Sequence, residues 1–285
     1  MLDIFIFNVE HGQSVFFYPR DIPEFGMLVD CGNTGTFNPI DQIIAWNMLP
    51  KNAAGQHVLS NLTITNYDHD HFSGLPYLAN TVHIATARLS KNISSQELLA
   101  AKPEDTLALQ WVRHVKDTYN QPAPLHVPPY QVAVFSLTQN DFPAGDWDTN
   151  NLSQVVFVSY GGSVICISGD IEAKGWAKLL LQENFKASLR ATNVFIAAHH
   201  GRETGHAVEV FDHCSPQCVI ISDKEIMHGT QEGMAQAYAN RVSGNGVYLA
   251  NAASPVARKV LTTRNDGHVW VRFEPNGVRT YRNIT

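Results

Sequence analysis

Short apolar runs, rich in Val, Ile and Phe and each cut off by polar or glycine residues, recur along this chain and predict its elements. Residues 2–7, 14–18 and 26–32 read as three strands of a β-meander. Residues 39–49 set apolar side chains at helical spacing behind a proline, which predicts an amphipathic helix. A strand at 62–65, a short helix from 75, a strand at 82–87 and a helical stretch over 94–119 continue in β/α alternation. That stretch is broken near Pro103 and strongest at 106–115. Strands return at 132–137, 153–160 and 163–168, the last two joined by Gly161-Gly162, a hairpin signal. A helix over 171–182, strands at 193–198 and 219–222, and a helix over 231–242 follow. The tail, 256–263, 267–273 and 277–282, reads as antiparallel strands with Asn-Asp-Gly and Asn-Gly turns. No linker divides the chain cleanly, so one α/β domain over 1–285 is expected, in two β/α halves of about 1–160 and 161–285. The four prolines of 121–131 predict a surface crossing.

Candidate chemistry lies where strands end. Behind Leu62-Thr63-Ile64 stands Asn66-Tyr67-Asp68-His69-Asp70-His71, followed by Gly74. Asp68 and Asp70 offer hard oxygens and His71 a borderline nitrogen, a set that suits zinc, manganese or iron better than calcium. If the segment stays extended, Asp68 and Asp70 share one side and His69 faces away. The ordinary alternative is a helix cap built on Asp70. Asp170 follows the apolar strand 164–167, a setting that suits a metal-bridging carboxylate and equally an N-cap. Residues 193–198 run straight into His199-His200-Gly201-Arg202, and 219–222 into a loop holding His228. Asp30, at the end of the third strand, is expected to shape the floor of a site rather than to react.

Composition narrows the function classes. A chain of 285 residues, 44% of them hydrophobic, buries a large core. No run approaches the roughly 18 to 20 apolar residues of a membrane span, and Met1-Leu2-Asp3 opens a strand, so a soluble, cytoplasmic protein without membrane contact is expected. The four cysteines lack zinc-finger spacing and read as reduced core thiols. A net charge of −6 argues against a broadly basic nucleic-acid face without excluding a local groove. No strip of interleaved basic and aromatic residues is visible along the chain.

Taken in order, Asp30-x-Gly32, Asn66-x-Asp68-x-Asp70-His71-x-x-Gly74, Asn150-Asn151-Leu152-Ser153, Gly169-Asp170, Ala198-His199-His200-Gly201 and His228-Gly229 resemble the motifs of the metallo-β-lactamase superfamily. The similarity is greatest to the hydrolase domain of the competence protein ComEC and its free-standing relatives, and it covers about residues 1–250. It implies a four-layer αββα sandwich with one or two divalent metals at the edge between two sheets. By this resemblance Asp68 binds a first metal, Asp70 and His71 a second, Asp170 bridges, and His228 completes the second site. His199 or His200 is then a ligand or a group that handles the scissile phosphate. Two positions depart from the pattern. Asn66 stands where the motif has His, and an amide oxygen is a poor zinc ligand; the first site is then weak, selective for manganese or magnesium, or empty. His11 stands where the competence group has a glycine.

These readings predict a metal-dependent phosphodiesterase, a nuclease first among them, using manganese or zinc, with magnesium a further candidate. A metal-bound hydroxide would attack, with Asp70 catalytic and His200 or His206 protonating the leaving oxygen. His11, Asn151 and Arg202 would contact substrate, although a solvated loop cation is the ordinary reading of Arg202. The expected partner is nucleic acid or another phosphodiester; protein partners are not predicted. A small-molecule ester or lactone hydrolase, and a metal-poor scaffold or binding module, are the alternatives.

Overall fold

Alternation along the first strand already shows how the layers divide: Ile4 and Ile6 enter one core, Phe5 and Phe7 another. The computed structural model describes residues 1–102, 104–119, 121, 127–225, 229–251 and 256–284, with only the backbone of Thr230. Strands β1 (Leu2–Ile6), β2 (Val15–Pro19), β3 (Met27–Val29), β4 (Val58–Ile64) and β5 (His83–Leu89) belong to the first sheet. The second holds β6 (Gln131–Phe135), β7 (Val155–Tyr160), β8 (Ser163–Ile167), β9 (Val194–Ile196), β10 (Cys218–Ile221) and β11 (Val260–Thr262). The last two strands, β12 (His268–Phe273) and β13 (Arg279–Ile284), return to the first sheet, whose order is β13-β12-β1-β2-β3-β4-β5; that of the second is β11-β10-β9-β8-β7-β6.

Helices cover both outer faces. Helices α1 (Pro39–Ala45), α2 (His69–Phe72), α3 (Leu75–Thr81), α4 (Ser95–Ala101) and α5 (Leu107–Thr118) lie along the first half of the chain. Ile40, Leu75, Leu98 and Val112 from this set pack on Phe5, Phe7 and Leu62 of the first sheet. Helices α6 (Ala173–Leu179), α7 (Glu183–Arg190) and α8 (Met234–Ala239) bring Trp176, Phe185 and Tyr238 onto Phe157 and Phe195 of the second. Between the sheets lie Ile4, Ile6, Val156, Ile165, Val194 and Ile220. The result is four layers, helix, sheet, sheet, helix.

Several boundaries differ from the sequence reading. The sheets do not divide at residue 160: β6 and β7 precede that point yet lie in the second sheet, and β12 and β13 rejoin the first. Pairing with buried β1 attracts the apolar face of β12 more than proximity in sequence does. The strand expected over 256–263 is only β11, which pairs parallel with β10, and a helical turn at Thr263–Asp266 replaces the anticipated hairpin. The helix expected over 171–182 starts at Ala173 and is followed by a separate one, α7. Most of the proline-rich span lies outside the described residues. All four cysteines are buried and unpaired, and among the described residues no helix is long and apolar enough to cross a membrane.

The parallel strands β3 and β4 of one sheet, and β8, β9 and β10 of the other, end at the same edge of the sandwich. Gln154 ties the two sheets there. Its backbone N–H donates to Thr65 O at 2.8 Å and its buried side chain to Ile64 O at 2.7 Å. Gln154→Leu removes the side chain's buried hydrogen bond to the Ile64 carbonyl, and is expected to lower unfolding free energy by about 1–3 kcal/mol in a denaturant titration.

Candidate metal centre

Four side chains converge at that edge: Asp70, His71, Asp170 and His200 each offer one ligand atom, and these atoms lie within 4.8 Å of one another. Asp70 and His71 come from α2, directly beyond β4; Asp170 follows β8, and His200 follows β9. His71 Nε2 lies 3.0 Å from Asp170 Oδ1, and His200 Nε2 lies 3.1 Å from Asp70 Oδ2 and 3.5 Å from Asp170 Oδ1.

The far nitrogen of each imidazole is already engaged. His71 Nδ1 lies 2.9 Å from Asp30 Oδ2, and His200 Nδ1 lies 3.0 Å from Ser222 O. Both partners are acceptors, so they hold the neutral ring's proton on Nδ1 and leave the Nε2 lone pair facing the cluster. Asp30 is itself fixed, taking the Thr65 N–H at 2.7 Å, the Thr65 hydroxyl at 2.5 Å and the Gln13 amide at 2.9 Å. His71 Nε2, Asp170 Oδ1 and His200 Nε2 are buried yet make no hydrogen bond of acceptable geometry. Three orphaned donor and acceptor atoms aimed at one point fit a divalent cation.

Backbone strain accompanies this convergence. Asp30, His199 and His200 have φ of 59°, 49° and 53°, left-handed values that cost a non-glycine residue about 1–3 kcal/mol each. Gly32 allows the loops to close, since a Cβ there would lie 2.3 Å from Asp70 O.

Without a cation the cluster is a charge network. Burial disfavours the charged form of every member, and the opposite charges outweigh it. Asp170, beside His71 and His200, is held well below the usual carboxylate range, and Asp70 falls to about 2 through its close approach to His200 and the charge of His71. His200 rises to about 10 against Asp170 and Asp70, and His71 also rises, against Asp170 and Asp30. His11 goes the other way. Burial, reinforced by His200, lowers it to about 4, so it is a neutral imidazole at neutral pH.

His11 and Arg202 form the rim. The rings of His11 and His200 lie 4.4 Å apart between centroids. Arg202 donates from Nη2 to His11 Nε2 at 2.8 Å and from Nη1 to His199 Nε2 at 3.1 Å, while its Nε is buried without a partner. No carboxylate among the described residues pairs with this guanidinium, so it is not the solvated loop cation of the ordinary reading. His199 turns away from the cluster and presents Nδ1 to Glu172 at 2.9 Å and to Thr204 Oγ1 at 3.0 Å.

Other anticipated site residues fall elsewhere. The segment does not stay extended: α2 begins at His69, which rotates Asp68 away from Asp70. Asp68 instead pairs with Lys102. The Asn66 amide accepts from the Tyr67 N–H and donates to Asn150 at 2.9 Å, so neither Asn66 nor Asp68 joins the cluster. The Asn151 side chain donates to Asp148 and accepts from the Gly175 N–H at 2.7 Å, a structural bridge rather than a substrate contact. His206 stacks on Phe211 and meets Tyr238 edge-on, and its charge neighbours are Arg241 and Glu209 rather than the cluster. Asp170 caps no helix, since α6 is preceded by Glu172. His228 lies outside the described residues.

No family model matches the chain, and no curated protein matches it. Solved structures do. Unliganded yeast PDE1 aligns over 85% of this chain and 95% of its own, with TM-score 0.50 and 12% identity. The metallo-β-lactamase fold protein YhfI from Bacillus subtilis aligns over 93% and 98%, with TM-score 0.49 and 10% identity. Zinc-bound PqqB from Methylobacterium extorquens aligns over 90% and 85%, with TM-score 0.47 and 13% identity. The four-layer fold is like that of yeast PDE1 over most of both chains. At these identities the likeness concerns the fold alone. Within that fold the present chain gathers two imidazoles and two carboxylates at the sheet edge.

Two outcomes are expected. Asp30→Asn weakens the acceptor beneath His71 and lowers affinity for zinc or manganese about 10- to 100-fold in a calorimetric titration, with the fold retained. A histidine whose pKa is raised stabilises the folded state fully below its unfolded value and loses that contribution as pH passes its folded value. Chelator-treated protein therefore loses thermal stability as pH rises from 6.5 through about 10, where His200 deprotonates. An unchanged midpoint across that window would remove His200 from the charge network.

Proposed function

We propose that this chain is a metal-dependent hydrolase of phosphodiesters, a nuclease in the first instance. The observation that carries the reading is the set of three buried, unpartnered ligand atoms on His71, Asp170 and His200, facing one another across the cluster. Asp70, His71, Asp170 and His200 would hold the ion. Two nitrogens and two oxygens suit zinc or manganese ahead of magnesium. Bound there, a divalent cation supplies Lewis acidity, making water ionisable near neutral pH and offsetting negative charge that develops on the substrate.

The chain's own residues do the remaining work. Asp30 and the Ser222 carbonyl keep both imidazoles in the tautomer that exposes Nε2. Arg202 supports an anionic substrate over a neutral carbonyl compound, because its charge is met by two imidazole acceptors and its Nε still lacks an acceptor. His11, neutral and accepting at Nε2, carries its proton on Nδ1 at the rim, which suits it to orient a phosphoryl oxygen by donating a hydrogen bond. His200 keeps Nε2 toward the ligands and so is not free to act as that donor. Among the described residues the cluster gathers ligands for one ion, since Asn66 and Asp68 are engaged elsewhere.

Hydrolysis of bis-p-nitrophenyl phosphate by manganese- or zinc-loaded protein tests this. Asp170→Ala should lose both metal and turnover. Arg202→Gln should keep metal while kcat/KM falls about 10- to 100-fold, the loss expected for one charged hydrogen-bonding contact. Turnover of a chromogenic cephalosporin without phosphodiester cleavage would reassign the chain to small-molecule hydrolysis. Absence of bound metal and of turnover would make it a binding module.

A further inference from the structure

The outer face of the first sheet carries an open cavity of about 420 Å³, at strands the metal centre does not use. Its lining combines Phe5, Trp46 and Trp270 with Arg20, Arg272 and Arg282. Register explains how residues so distant in sequence meet. Phe5 of β1 lies opposite Trp270 of β12, which lies opposite Arg282 of β13; Asp3 lies opposite Arg272, and Arg20 follows the end of β2. Side chains two apart along a strand share a face, so Asp3 and Phe5, Trp270 and Arg272 form one ladder. Trp46, immediately beyond α1, closes the cavity over Phe5 with ring centroids 5.1 Å apart.

Charge in this cavity is unbalanced. Arg20 and Arg272 share one carboxylate, the fully buried Asp3, which accepts from Arg272 Nε at 2.7 Å and from Arg20. Arg282 pairs with no acidic side chain among the described residues; its guanidinium carbon lies 5.1 Å from the centre of the Trp270 ring, with that of Arg272 at 4.6 Å. Three guanidinium groups against one carboxylate leave an excess of two positive charges in a chain whose net charge is −6. Cation–π contact fixes the direction of two of these groups; Arg272 spends Nε and Nη2 on Asp3, so the N–H donors left for an anion are chiefly those of Arg282.

We propose that this cavity binds a nucleotide unit, its phosphate on the arginines and its base against the half-buried Trp46 ring, since the Trp270 ring is buried under Arg272 and Arg282. An aromatic surface beside oriented guanidinium groups is the recognition chemistry of single-stranded nucleic acid. The volume falls within the range of small-molecule sites, roughly 300–1,000 Å³. The unit is either a free nucleotide or one residue of a strand, and the two are separated by experiment. The proposal is independent of the hydrolase reading, because the cavity shares no residue with the metal cluster.

The test is binding of a fluorescein-labelled oligo-dT 12-mer to full-length protein in excess chelator, with AMP, inorganic phosphate and poly-glutamate as competitors. The expected result is oligonucleotide binding that Arg282→Ala weakens about tenfold, the loss of one charge-assisted contact. Unaltered thermal unfolding of Arg282→Ala shows that the fold is kept. AMP competing as well as an unlabelled strand identifies the free nucleotide as the ligand; a strand at least about tenfold tighter identifies the polymer. Either outcome supports the site. Equal competition by phosphate or poly-glutamate shows an anion or acidic-peptide patch instead and overturns the proposal, as does binding unaffected by Arg282→Ala or no binding at all.

Discussion

The contact between the Asp30 carboxylate and His71 Nδ1, buried at the point where the two sheets meet, conditions everything above it. A carboxylate taken out of water is costly unless every lone pair is used. Thr65, Gln13 and His71 use those of Asp30, and each comes from a different segment. One buried anion thereby fixes β3, β4, the turn before β2 and the orientation of a metal-facing imidazole. Its own left-handed backbone shows that the surrounding structure over-determines its place.

A comparable economy of direction governs the second half of the site. His199 and His200 are consecutive and both left-handed, so their rings diverge: His200 turns toward the carboxylates, and His199 turns outward to hold Arg202. The pair links the His/Asp cluster and the Arg202 guanidinium through a single kink. Glu172 steadies the outward ring without touching the arginine, which preserves the positive character of the rim.

Much of this was legible in the chain. Runs of Val, Ile and Phe ending in Asp or His located the sheet edges, because a buried strand must stop where its backbone polar groups need other partners. Asp70, His71, Asp170 and His200 were therefore visible as strand-end residues before any coordinates. Side-chain direction was not. A helical turn at His69 separates Asp68 from Asp70, and no periodicity in six polar residues distinguishes that turn from an extended continuation. Likewise, Asn151 and His206 looked like site residues by type, yet Asp148 and Gly175 occupy the first, and Phe211 and Tyr238 surround the second. The arginine and tryptophan ladder escaped notice for a simpler reason. Arg20, Trp46, Trp270 and Arg282 become neighbours only through the return of the last strands to the first sheet.

That return also sets an order of events during synthesis. Leu2 pairs with Phe273 and Ile6 with Val269, so β1 lacks one of its two neighbours until β12, more than 260 residues further on, has been made. The second sheet, by contrast, is built from one continuous stretch, β6 through β11, and can assemble while the first still has an open edge. Contacts this distant in sequence slow folding, and a strand as apolar as Leu-Asp-Ile-Phe-Ile with an unfilled edge is a template for wrong pairing. β1, made before the strands it joins, is thus among the last to be sealed, and its protection in the interval falls to whatever else shields exposed strands in the cell.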